Sequence, residues 1–85
     1  MIRAHVNVFL KPDVMDPQGK ALGEALLSLG HKTVKRVRVG RYFDIALEGD
    51  DPEQARVELT RMCEELLANT VIENYEIRID PAQKA

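Results

Sequence analysis

The chain opens on a strict alternation. Ile2, Ala4, Val6, Val8 and Leu10 fall on one side and Arg3, His5, Asn7 and Phe9 on the other, the period-two pattern of a half-buried strand. Lys11-Pro12-Asp13 ends it. From Asp16 the period lengthens. Ala21, Leu22, Ala25, Leu26 and Leu29 recur at helical spacing, with Asp16 placed to cap the free N–H groups, Pro17 at the first helical position and Gly30 where a left-handed residue closes a helix. Gly19 in the first turn costs about 1 kcal/mol against alanine. It therefore points to close approach by another backbone or side chain.

Residues 33–39 and 42–48 read as two more strands, carrying Val34, Val37 and Val39, then Phe43, Ile45 and Leu47. The expected turn is Val39-Gly40-Arg41-Tyr42, with Gly40 supplying a positive φ. A bulged loop that pairs Val37 with Phe43 and Arg36 with Asp44 matches apolar with apolar and opposite charges, and is preferred. One long strand kinked at Gly40 is the alternative. Asp51-Pro52-Glu53-Gln54 repeats the helix-start chemistry. Ala55, Leu59, Met62, Cys63 and Leu66 form the stripe that follows, with Asn69 as an end cap. Over 74–80, Tyr75, Ile77 and Ile79 alternate with Glu76, Arg78 and Asp80. The order βαβ-βαβ predicts an α+β fold, a ferredoxin-like split βαβ-βαβ sandwich: an antiparallel sheet with two helices on one face. Residues 1–80 form the single expected domain and 81–85 a disordered polar tail.

Composition narrows the function. The 85 residues are 45% apolar and 31% charged, which favours a globule over a disordered chain. So short a chain buries only about 60% of its unfolded surface, leaving little room for an enclosed catalytic cavity. The net charge of −2 conceals an asymmetry, since residues 1–41 carry +5 and residues 42–85 carry −7. Such halves favour self-complementary or protein contacts over a polyanion. The start of the chain has no signal-peptide run and no window reaches the length of a membrane span, so the expected location is cytoplasmic.

The candidate chemistry is sparse. The one cysteine, Cys63, lies on an apolar helix stripe and reads as a core residue rather than half of a metal-binding pair. His5 and His31 have no metal-ligand spacing. Ser28, Thr33, Thr60 and Thr70 sit in no nucleophile motif. Lys32, Lys35, Arg36, Arg38 and Arg41 form a basic group without the interleaved aromatics of an RNA-reading sheet. Arg3, Arg38 and Asn7 are the residue types of acylphosphatase-like catalysis, but no phosphate-cradling loop accompanies them. Gly19 and Gly40 are weak hints of an alternative class, a small-ligand regulatory module that binds amino acids. His5, Asn7 and Phe9, joined by Tyr75, suggest a mixed aromatic and polar sheet face suited to self-association.

Four segments resemble one family. They are Leu10-Lys11-Pro12-Asp13-Val14-Met15-Asp16-Pro17-Gln18-Gly19-Lys20, Leu29-Gly30, Val37-Arg38-Val39-Gly40-Arg41-Tyr42 and Leu66-Leu67-Ala68-Asn69-Thr70-Val71-Ile72-Glu73-Asn74-Tyr75. In that order they are similar to the PurS family, the small subunit of phosphoribosylformylglycinamidine synthase in purine biosynthesis. Thr70 stands where the family commonly has proline, and Arg41 where lysine is usual. The resemblance implies a non-catalytic subunit that associates with itself. It docks a glutaminase subunit onto a large ATP-dependent synthetase subunit and so supports ammonia transfer. It implies no cofactor on this chain, with ATP and Mg²⁺ on the large partner, and neither nucleic acid nor membrane as a partner. Lys11, Asp16, Gln18, Gly19, Arg38, Gly40, Arg41 and Tyr42 are the expected docking residues, since they lie in the matching loop, helix start and hairpin.

Overall fold

The central strand is the one whose alternation is cleanest. In the computed structural model, which describes residues 1–80, β1 (Ile2–Leu10) lies between β2 (Gly40–Leu47) and β3 (Glu73–Ile79), antiparallel to both. The polar tail expected at 81–85 falls outside the described residues. Val6 faces Phe43 on one side and Ile77 on the other, so the apolar rows of all three strands share one face. Helix α2 (Pro52–Met62) covers that face. Asp51 caps it, accepting the N–H groups of Glu53 and Gln54, and Pro52 follows where no N–H is needed. Val6, Val8, Leu59 and Cys63 are fully buried between sheet and helix. Burial also pushes the Cys63 thiol above its ordinary pKa, which leaves it an inert core group.

The α+β ferredoxin-like class holds, with three strands rather than four. Residues 34–39 form no regular element and pair with no strand among the described residues, and Gly40 makes no hairpin. Positive φ occurs at Gly30 and Gly49 and not at Gly40. The preferred pairing of Val37 with Phe43 is therefore wrong: Phe43 opposes Val6. The single long strand kinked at Gly40 does not form either, since β2 begins at Gly40 and residues 34–39 are outside any strand. Cross-strand complementarity between neighbouring segments was a local argument, and pairing with the more apolar β1 overrode it.

Helix α1 (Pro17–Ser28) starts at Asp16 and closes at Gly30, as the pattern predicts. It packs along segment 34–39 rather than deep against the sheet. Leu22 and Leu27 stay 49% and 47% exposed, and Leu29 76%. The molecule is accordingly elongated. Its radius of gyration is 16.6 Å, against about 12 Å for a compact chain of this length. Helix α1 and segment 34–39 form an arm beside a small sheet-and-helix body.

Candidate functional site

The arm joins the body at one corner, held by two side chains. Asp16 accepts from Gly19 N–H at 2.9 Å with one carboxylate oxygen and from Val39 N–H at 2.8 Å with the other. Among the described residues it is the one buried charged residue. Its hydrogen bonds with Val39 and then Gly19, aided by the nearby Arg38 guanidinium, hold its carboxyl below the usual carboxylate range. Arg38 grips the opposite side of the loop. Its guanidinium donates to the carbonyls of Val14 at 3.0 Å and Lys11 at 2.9 Å, with a longer reach of 3.4 Å to Leu10. These bonds satisfy carbonyls of a loop that has no ladder of its own.

Gly19 lets the arm close. A Cβ there would stand 2.2 Å from the Val37 carbonyl oxygen, so only glycine admits segment 34–39 against the first helical turn. The close approach read from its sequence position is borne out. Gly40 plays a parallel part at the sheet, where a Cβ would stand 2.9 Å from the Val8 carbonyl oxygen.

A third tie links the corner to the far strand. Glu73 receives Arg41 through both carboxylate oxygens, at 2.8 and 2.9 Å, and accepts Asn69 N–H at 2.8 Å. The Asn69 N–H bond and then Arg41 hold the Glu73 carboxyl low. Lys11 donates to Asn74 at 2.9 Å from its side chain and to Ile72 O at 2.9 Å from its backbone. Lys11, Asp16, Gly19, Arg38, Gly40 and Arg41 thus meet in one region, with Gln18 exposed on the first turn of α1 beside it. Tyr42 does not belong with them. It lies on the uncovered sheet face, diagonal to His5.

That uncovered face carries Arg3, His5, Asn7 and Phe9 along β1, as the alternation predicts. Tyr75 is not among them, which corrects the expected self-association set. It opposes Val8 and packs on the core cluster beneath α2. Its phase along β3 is that of Ile77 and Ile79, the apolar row. Burial and then the Glu64 carboxylate push its phenol up. The residue types of acylphosphatase-like catalysis also stand apart: Arg3 and Asn7 lie on the open face, while Arg38 is spent on loop carbonyls. Among the described residues no three His, Cys, Asp or Glu side chains gather as a metal site. No helix of the described residues is long and apolar enough to cross a membrane.

Sequence reading missed what the arm leaves unfinished. Among the described residues the backbone of Lys35–Arg38 finds no backbone hydrogen-bond partner. A groove between α1 and this segment is lined by Leu27, Val34 and Val37, with Lys20, Lys35 and Arg36 around it. The signal was present as a valine-rich stretch with no apolar segment left to pair with it.

Residues 3–81 match the family model for PurS, described as phosphoribosylformylglycinamidine (FGAM) synthase. The chain is 44% identical over 80 residues to the phosphoribosylformylglycinamidine synthase subunit PurS of Synechocystis, covering 94% of this chain and 80% of that protein. The solved structure of Methanocaldococcus jannaschii PurS is similar with a TM-score of 0.89 at 37% identity, over 98% of this chain and all of that one. It is described as one of the subunits of formylglycinamide ribonucleotide amidotransferase in the purine biosynthetic pathway. A chain of the PurLQS structure from Thermotoga maritima has a TM-score of 0.85 at 30% identity, over 93% of this chain and 96% of its own length.

Proposed function

The chain belongs to the PurS family of phosphoribosylformylglycinamidine synthase subunits in purine biosynthesis, and from that premise we propose that it works as an assembly piece. It does no chemistry of the synthase itself. It pairs with a second copy through the arm and docks the glutaminase subunit onto the ATP-dependent synthetase subunit, which supports ammonia transfer. ATP and Mg²⁺ are handled on the large partner, and the setting is the cytoplasm.

The carrying observation is the arm. A segment rich in valine with free backbone groups at Lys35–Arg38 can pair with a strand. Here it lies beside a helix whose leucines are half exposed. A second copy supplies both a sheet edge and an apolar surface. The acidic second half of that copy also complements Lys35, Arg36 and Lys20. The corner of Lys11, Asp16, Gln18, Gly19, Arg38, Gly40 and Arg41 then holds the arm at a fixed angle and presents the polar loop to the other subunits.

Reconstitution tests this. With all three subunits present, glutamine supports turnover. Without this chain, turnover should survive only when ammonia is supplied directly, and the glutaminase should no longer co-sediment with the synthetase. Unchanged glutamine-dependent turnover and an intact complex in its absence would refute the reading.

A further inference from the structure

We infer that Tyr42 is an activated phenol on the open sheet face, a modification site where a small uncharged acyl donor esterifies this chain. The observation is a hydrogen-bonded row, Tyr42–His5–Asp80, that the assembly role does not use. His5 sits on the central strand directly opposite Asp44 and Arg78. It bonds instead to the two diagonal neighbours. Its Nε2 lies 3.0 Å from both oxygens of Asp80, and its Nδ1 meets the Tyr42 hydroxyl. The two rings stack, with centroids 5.7 Å apart and planes 25° from parallel.

The donors and acceptors follow from charge. The hydrogen bond from His5 holds the Asp80 carboxyl below its usual range, so Asp80 is ionised and only accepts. Nε2 must then carry the hydrogen, which leaves the Nδ1 lone pair to accept the Tyr42 O–H. This is the order of an activated nucleophile: hydroxyl, base and a third group that orients the base. Accessibility is divided as that role requires. The His5 side chain is only 11% accessible, whereas Tyr42 is 56% exposed.

Charge on the same face selects the donor. Arg3, Asp44, Glu76, Arg78 and Asp80 surround the pair, and Arg3 is already paired with Asp44 at 2.9 Å. Three carboxylates against two guanidinium groups disfavour a polyanionic donor and admit a neutral ester. In the reaction, Tyr42 Oη bonds to the acyl carbon and its proton passes to His5 Nδ1. The bond from acyl carbon to leaving oxygen breaks, and that oxygen departs with the electron pair. The imidazolium, held by Asp80, then loses its extra proton to water.

The probe is 4-nitrophenyl acetate on the full chain, with N-acetyltyrosinamide in the same solution as the reference phenol. Peptide mass mapping should place an acetyl ester on Tyr42, formed about a hundredfold faster than on the reference. The rate should not track ionisation of a free phenol, because the hydroxyl proton passes directly to His5 Nδ1. His5→Gln should remove the acceleration with an unchanged circular dichroism spectrum. Asp80→Asn, which keeps the shape but not the charge, should lower it in the same direction. Tyr42 acetylated no faster than the reference, or equally fast in both variants, would overturn the inference.

Discussion

Two glycines one helical turn apart test the corner at the scale of single atoms. Glycine inside a helix costs about 1 kcal/mol relative to alanine, so Gly23→Ala should stabilise by up to that amount. A Cβ at Gly23 meets only Val37 Cγ2, at an ordinary 3.7 Å. Gly19→Ala should carry the opposite sign, because its Cβ would stand 2.2 Å from a backbone carbonyl oxygen that no side-chain rotation can move. A loss of about 1–3 kcal/mol is expected there, measured by chemical denaturation of both variants. Stabilisation by both would mean that the arm does not close on α1. Asp16 and Glu73 add an acid dependence. Both carboxyls are held low in the folded state. As pH falls, the unfolded chain therefore binds protons first. Their stabilisation is complete above about pH 5, where unfolded carboxylates are mostly ionised, and is lost as pH falls through the folded values. Asp16→Asn should weaken the acid-induced part of the thermal unfolding profile. At this scale much was legible: Asp16, Gly19 and Gly30 announced their roles through caps and cost. The grip of Arg38 on three carbonyls was not, because it depends on a fold of the loop that no residue pattern encodes.

At the scale of elements, the end of α2 shows how one residue of phase redirects a surface. Residues Cys63–Leu67 form a π-turn, closed by Ala68 N–H to Cys63 O at 3.0 Å. The wider turn shifts the apolar stripe by about one residue. Leu66, expected in the stripe, is 83% exposed, while Leu67 packs on the core and Ala68 is buried. Asn69 falls beyond the helix, where its side chain accepts Val71 N–H at 3.2 Å. A period of 3.6 cannot foresee an inserted residue, so this part of the stripe was misread while Ala55, Leu59 and Cys63 were read correctly. Leu59 is the anchor of the element, fully buried against Val6 and Val8. Leu59→Ala should cost about 2–5 kcal/mol and lower the melting temperature sharply. Leu66→Ala should leave it almost unchanged. Equal effects of the two would place Leu66 back in the core. The strands followed the same logic. β1 and β3 were legible because one face of each is buried, whereas segment 34–39 carries strand-like residues with no partner on its own chain.

For the whole molecule, the question is what covers the arm. The body is self-sufficient: α2 closes one sheet face, and the buried core contains no residue of α1 except Gly19 and the cap Asp16. The arm buries little, and a small chain gains stability by burying such surface against a partner. These two facts separate folding from assembly. A double substitution, Leu22→Glu with Leu27→Glu, touches two half-exposed side chains and no core residue. It should leave the circular dichroism spectrum and the cooperative unfolding of the body intact. If the arm is the self-association surface, sedimentation should show the parent chain as a dimer or larger and the double variant as a monomer. Parent stability should also depend on protein concentration, and that dependence should vanish in the variant. The basic rim adds a second handle, since pairing of Lys20, Lys35 and Arg36 with acidic residues of another copy weakens as salt screens it. Association should therefore fall with ionic strength, yet persist in part because the leucines do not respond to salt. A parent chain that sediments as a monomer at low salt, or a double variant that remains associated, would move the self-association surface away from the arm. The open sheet face would then be the next surface to test.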